Sequence, residues 1–168
     1  MTLAKPEILK ALKRKEIVIR PFSLDQVTPA SINLTLDSTF RVFPRGRKQV
    51  DVLEDTDFRR YTKEVIAKDR LVMKPLQTVL GITREHITLA DNICGWLEGR
   101  SRFARLGLTI HITAAFVQPG SDNKQVLEMT NIGPNTLVLH PGTRVAQLIL
   151  ERTQGKAKYR GKFQNQRL

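Results

Sequence analysis

The sequence is poor in the residues that build covalent or metal-bound scaffolds. It has one cysteine, Cys94, in 168 residues, and three histidines, His86, His111 and His140. No intrachain disulfide can form, and a tetrahedral Cys/His zinc site is nearly excluded. No apolar run approaches the ~20 residues a membrane-spanning helix needs. No N-terminal apolar stretch precedes a small-residue cleavage site, so the reading is a cytoplasmic protein with no membrane partner. Aromatic residues make up 6% of the chain, too few for a platform on which nucleic-acid bases stack. Internal repeats and low-complexity segments are absent. A chain of this length is expected to form one domain, 1–168, that can bury a core without disulfides.

What the sequence does have is positive charge. Lys and Arg number 28 against 16 for Asp and Glu, a net +12. The cations are spread over Lys10 to Lys15, Arg45 to Lys48, Arg100 to Arg105 and Arg152 to Lys162. The excess points either to an anionic partner or to a solvated basic surface. Such a partner is nucleic acid, a membrane surface or a phosphorylated small molecule; the cations are scattered, there is no long basic tail, and no RNA-binding aromatic signature is present.

The hydrophobic pattern is mainly of period two. Residues 6–15 read as a short helix, with Pro6 at its first turn and Ile8, Leu9 and Leu12 on one face. Ile17 and Ile19 then alternate with Val18 and Arg20 until Pro21, and residues 31–43 carry apolar side chains at strand spacing. Pro44-Arg45-Gly46-Arg47 reads as a turn, and 51–69 as a charged, irregular excursion or hairpin. From Leu71 onward, short apolar runs recur between turn residues such as Pro119-Gly120 and Pro141-Gly142. That spacing predicts an all-β sandwich or barrel rather than βαβ units.

One segment departs from this rhythm. Arg100-Ser101-Arg102-Phe103-Ala104-Arg105-Leu106 reads as one short internal helix stopped by Gly107. Phe103 and Leu106 could face the core, and Ser101 and Arg105, four apart, share a face. The helix start offers free N–H groups to a phosphate, with Gly99 allowing close approach; the alternative is a short connector whose arginines sit in water.

In order along the chain stand Pro29-Ala30-Ser31-Ile32-Asn33-Leu34-Thr35-Leu36, the run Gly99 to Leu108, His111-Ile112-Thr113-Ala114, Pro119-Gly120, Val126-Leu127-Glu128, Asn131, and Pro141-Gly142 with Gln147. Taken together these resemble the dCTP deaminase family, relatives of the trimeric dUTPases, over roughly residues 8–44 and 71–166. The resemblance implies a distorted β-barrel or jelly roll of the dUTPase-like type, with a short N-terminal and a short internal helix. It implies a homotrimer with active sites between subunits, and hydrolytic deamination of dCTP to dUTP and ammonia. The alternatives are a dUTPase or bifunctional deaminase–dUTPase, and a non-catalytic nucleotide-binding module.

With one cysteine, the zinc route to an activated water is closed, and a metal-free deaminase needs a carboxylate base. The resemblance implies that Glu128 is that base and acid, and that Ser101, the backbone around Ala114 and Arg105 orient water, amine and charge. Without the resemblance, Glu128 on a strand could equally be an exposed charge or half of a structural pair with an arginine. Arg100, Ser101 and Arg102 are expected at the phosphates, with Mg²⁺ carried by the triphosphate. Phe103, Ala104, Arg105, Ala114, Gln118, Val126, Leu127 and Glu128 complete the implied substrate contacts. The resemblance further implies that Tyr159, Lys162 and Gln166, in a tail of about 155–168, close over the nucleotide; the alternative is a disordered basic tail.

This chain departs from the pattern at several places. Arg102 stands where a second serine is usual, Phe103 where leucine is usual, and Asn33 where aspartate is usual. Gln118 replaces the aspartate before Pro-Gly. That aspartate meets the sugar 3′-hydroxyl in deaminases and activates the attacking water in dUTPases. An amide can bond a hydroxyl but cannot act as a base. Ser121-Asp122-Asn123-Lys124 replaces the usual aromatic-x-Gly turn.

Overall fold

The computed structural model describes residues 1–168 except Arg45, Arg47, Lys48, His111, Ile112, Lys162, Asn165 and Arg167. Expectations for Lys162, His111 and most of the Pro44-to-Arg47 turn therefore fall outside the described residues.

The chain opens with helix α1 (Lys5–Lys13), Pro6 in its first turn, which buries Ile8 and Ala11 and half-buries Leu9 and Leu12 against the core. Eleven strands follow: β1 (Ile17–Arg20), β2 (Ile32–Val42), β3 (Lys63–Ile66), β4 (Leu71–Met73), β5 (Thr78–Leu89), β6 (Ile93–Gly99), β7 (Leu108–Ile110), β8 (Phe116–Val117), β9 (Asp122–Asn131), β10 (Leu137–Leu139) and β11 (Arg144–Arg152). Nine of them form one antiparallel sheet with the path β7-β9-β5-β2-β11-β6-β8; β1 joins β5 and β3 joins β2, while β10 and β4 form a separate pair. The all-β reading with its two helices holds.

β2 is where the sheet curls. Its first half pairs with β11 (Ile32 with Leu148, Thr35 with Arg144), and its second half with β5 and β3 (Phe40 with Gly81 and Val65). Both ladders break register near Leu36, at irregularities that let one long strand serve two walls. Ile32, Leu34, Leu36 and Phe40 are fully buried on this strand and meet Leu127, Met129, Leu148 and Leu150 in one core. Burial of such side chains is the main driving force for the curl, at about 1.5–3 kcal/mol each.

The 51–69 segment is the irregular excursion expected, ending in a 3₁₀ turn (Phe58–Tyr61) and β3. The internal helix is shorter than the sequence predicts: α2 spans only Ser101–Ala104. Phe103 packs against the core as expected, but Leu106 is 60% exposed, a correction. The reason lies in Gly107, which turns the backbone at φ +93° and lies so close to Gly133 that a Cβ would come within 2.7 Å of its Cα. The Ile132 N–H donates to the Gly107 carbonyl at 2.8 Å, and this pinned turn leaves Leu106 outside.

Candidate active site

Burial alternates along β9, and the cavity draws residues from both alternating sets. Asn123, Gln125, Leu127 and Met129 are buried, while Asp122, Lys124, Val126 and Glu128 are half-buried between them. Leu127 and Met129, fully buried, anchor the strand in the core, and Glu128 stands opposite Leu80 of β5. A cavity of about 1050 Å³ opens there. Its walls are β5 (Thr78, Leu80), β9 (Asn123, Gln125, Val126, Glu128), the chain around Ala114 to Ser121, the excursion at Asp55 to Arg60, and the tail at Tyr159, Phe163 and Gln166.

Glu128 has no hydrogen-bond or ion-pair partner among the described residues, so it is not half of a structural pair with any described arginine. Burial with no compensating charge pushes its carboxyl above the ordinary carboxylate value. A half-desolvated, unpaired carboxylate in a cavity holds a proton more readily, as a group that both takes and returns one must.

The tail docks along the same wall. The Tyr159 N–H donates to the Pro119 carbonyl at 2.9 Å, and Gln166 Nε2 to the Lys124 carbonyl at 3.0 Å. Asn123 Nδ2 donates to the Phe163 carbonyl at 2.7 Å. Gly120, at φ +72°, admits this strap, since a Cβ there would lie 2.7 Å from Lys158 Cγ.

Of the residues expected from sequence, the cavity gathers Ala114, Gln118, Val126, Glu128, Tyr159 and Gln166. Leu127 faces the core instead. Arg100, Ser101, Arg102, Phe103, Ala104 and Arg105 do not line it. Ser101, Arg102, Ala104 and Arg105 are exposed on and beside α2, and no hydrogen bond or ion pair joins Arg105 to Glu128. Arg100 donates through Nη1 to the Arg144 carbonyl at 2.7 Å, and burial, with Arg102 and Arg144 nearby, pulls its basicity down. Arg144 is itself bridged to Asp25 at 2.8 Å. Several parts of the wall were not singled out from sequence, among them Thr78 and Leu80 of β5, Phe116, Phe163 and two further stretches. One is Asp55 to Arg60, where Arg59 stacks 5.3 Å over the Phe58 ring; the other is the Asn123–Gln125 pair. The only signals were a charged, aperiodic segment and the missing aromatic-x-Gly turn.

A family model described as dCTP deaminase-like matches residues 2–153. The chain belongs to the dCTP deaminase-like family. It is 35% identical over 170 residues to a Persephonella marina protein named "dCTP deaminase, dUMP-forming", covering 99% of this chain and 93% of that one. A Nanoarchaeum equitans protein of the same name is 34% identical, with 90% and 84% covered. Among solved structures, the 2′-deoxycytidine 5′-triphosphate deaminase of Agrobacterium tumefaciens superposes with a TM-score of 0.71 at 19% identity, covering 91% of this chain and 48% of that one. The chain thus spans about half the length of that deaminase. A dUTPase from phage phi11 of S. aureus superposes at 0.52 with 10% identity, covering 87% of this chain and 96% of that one. Both likenesses are of fold.

Proposed function

We propose that this family member deaminates dCTP hydrolytically in cytoplasmic pyrimidine nucleotide metabolism, with Glu128 as the general base and acid. The observation that carries this reading is Glu128 itself: half-buried, unpaired among the described residues, held above its ordinary basicity and facing a nucleotide-sized cavity. Water adds to ring carbon 4 as Glu128 takes its proton. The proton passes to the ring nitrogen, the hydroxyl now on carbon 4 gives its own proton through Glu128 to the amino group, the carbon–nitrogen bond breaks as the carbonyl forms, and ammonia leaves dUTP behind. No redox change is required.

In this reading the protein is a homotrimer of single-domain chains, 1–168. A neighbouring copy brings the exposed Ser101 and Arg105 to Glu128, and Arg100 and Arg102 to the phosphates. Mg²⁺ arrives on the triphosphate. Among the described residues no three His, Cys, Asp or Glu side chains gather around a common point, so a cation coordinated by phosphate oxygens and water fits this donor set better than a protein cage. Among those residues no helix is long and apolar enough to cross a membrane.

A second reading is a bifunctional enzyme that continues to dUMP. The names of the Persephonella and Nanoarchaeum relatives favour it, as do the additional carboxylates Asp55 and Asp57 on the cavity wall; Gln118 opposes it. Incubation with dCTP and Mg²⁺ separates the readings. Ammonia with dUTP supports a deaminase, ammonia with dUMP and pyrophosphate the bifunctional enzyme, and unchanged, bound dCTP a non-catalytic module.

A further inference from the structure

Gln125 is 6% exposed and lines the cavity. Its backbone N–H donates to Thr83 Oγ1 at 2.9 Å, and that hydroxyl donates to the Glu85 carbonyl at 2.8 Å. The Gln125 side chain donates through Nε2 to Asn123 Oδ1, and Asn123 donates through Nδ2 to the Phe163 carbonyl. The direction of this relay is forced. A backbone carbonyl only accepts, so Asn123 must turn its amide nitrogen to Phe163 and its oxygen to Gln125. Gln125 must then turn its nitrogen to Asn123. Its Oε1 is left as an acceptor that takes no hydrogen bond from any described residue. Gln164 Oε1 is the buried side-chain acceptor without a partner among the described residues, so Gln125 Oε1 is open to the cavity, where a ligand donor can reach it.

The position of Gln125 identifies that donor. It lies three residues from Glu128 along β9, about 10 Å at strand rise. The same cavity is lined by Gln118, Ser121, Tyr159 and Phe163, and Phe163 is tied to Gln125 through Asn123. With Glu128 at the reacting ring carbon, this end receives the sugar. We infer that Gln125 Oε1 accepts the hydrogen bond of the deoxyribose 3′-hydroxyl, making Gln125 a specificity-determining residue whose polarity is set by the docked tail. A hydroxyl has one proton to give and two lone pairs to receive. With an aspartate at 118 that proton could go to the carboxylate. The Gln118 amide can instead donate to the hydroxyl oxygen, and Gln125 takes the proton. The inference rests on the cavity being the nucleotide site.

The test is calorimetric binding of dCTP and of 2′,3′-dideoxycytidine triphosphate, each with Mg²⁺, to the full chain and to Gln125→Met. The wild type is expected to prefer dCTP by about tenfold, the scale of one hydrogen bond to a buried acceptor. Gln125→Met is expected to bind the two nucleotides equally. Lack of discrimination by the wild type, or a preference retained in Gln125→Met, overturns the inference. Should Gln125→Met fail to fold, a structure of Glu128→Gln with dCTP decides. Gln125 Oε1 within hydrogen-bond distance of the 3′-oxygen supports the assignment, and a separation beyond ~3.5 Å overturns it. Ammonia release is read in parallel. A protein that discriminates the two nucleotides but releases no ammonia refutes the deaminase reading while leaving this one standing.

Discussion

Ser31 and Gln147, 116 residues apart in the chain, are joined by a 2.9 Å hydrogen bond from Ser31 Oγ to Gln147 Oε1. Gln147 Nε2 in turn donates to the Gly99 carbonyl at 3.2 Å. β11 thus ties β2 on one side to β6 on the other, and the segment Arg100–Ser101 hangs directly from the second bond. Gln147→Leu keeps the volume but strands both partners. It should cost about 1–3 kcal/mol, a fall of several degrees in Tm for a domain of this size. A melting curve superimposable on that of the wild type would contradict this role.

Glu128→Gln should cut ammonia release by ~10²-fold or more. The amide keeps the size and reach of the carboxylate but cannot take a proton from water. Near-normal turnover in this variant would remove Glu128 from the chemistry. The same substitution has a stability signature whose sign follows from the raised carboxyl. Burial lifts the folded-state value of Glu128 above its unfolded one, so the folded state holds the proton more tightly. Its stabilising contribution is present below the ordinary carboxylate range and is lost as pH rises through the raised value. Glu128→Gln should therefore melt higher than the wild type at neutral pH, the gap closing on acidification. Paired melting curves across pH check this, and a gap that widens toward acid would falsify it.

Much of the fold was legible because periodicity reports burial directly. The alternation in β9 and the apolar positions of β2 are one-residue facts that need no partner to be read. Of the candidate site, the residues that a short ordered motif named, Ala114, Gln118, Val126 and Glu128, line one cavity. What escaped depended on long-range geometry. Asp55 to Arg60 reach the cavity only because β2 curls and carries the excursion over β5 and β9, and no local pattern encodes that. Leu106 was misplaced because the close approach of Gly107 to Gly133, which forces it outward, is a contact between segments distant in sequence. The Asn123–Gln125 relay was marked only as a departure from a turn pattern. Its meaning depends on a tail carbonyl 40 residues further along the chain.

That carbonyl makes Asn123 a single-atom test of tail docking. In Asn123→Asp both side-chain oxygens accept, so an oxygen faces the Phe163 carbonyl and a donor–acceptor pair becomes a repulsive contact. The tail keeps its bonds from Tyr159 and Gln166 but loses its central one. Limited proteolysis should cleave after Lys156 to Arg160 several-fold faster than in the wild type, with the melting temperature of the β core little changed. Unaltered cleavage would show that the tail is held by its other contacts.

Gln118 should make the protein stop at dUTP. Cutting between the α- and β-phosphates needs a water deprotonated in line with the departing pyrophosphate, and an amide at 118 offers no basic site. The other carboxylates are placed elsewhere or engaged. Glu128 belongs to the ring end. Asp122 accepts from Thr88 Oγ1 at 2.6 Å, sits 3.6 Å from His86 and does not line the cavity. Asp57 caps its turn by accepting from the Arg59 N–H at 3.0 Å. Asp55 is exposed on the excursion and is the one cavity carboxylate left without an assigned partner or role among the described residues. Long incubation with dUTP and Mg²⁺, followed by phosphorus NMR, should show little pyrophosphate beside the rate of ammonia release from dCTP. Comparable rates would defeat the prediction and support the dUMP-forming reading. Asp55→Asn would then show where the base resides, since loss of pyrophosphate with ammonia release retained assigns the water to that carboxylate.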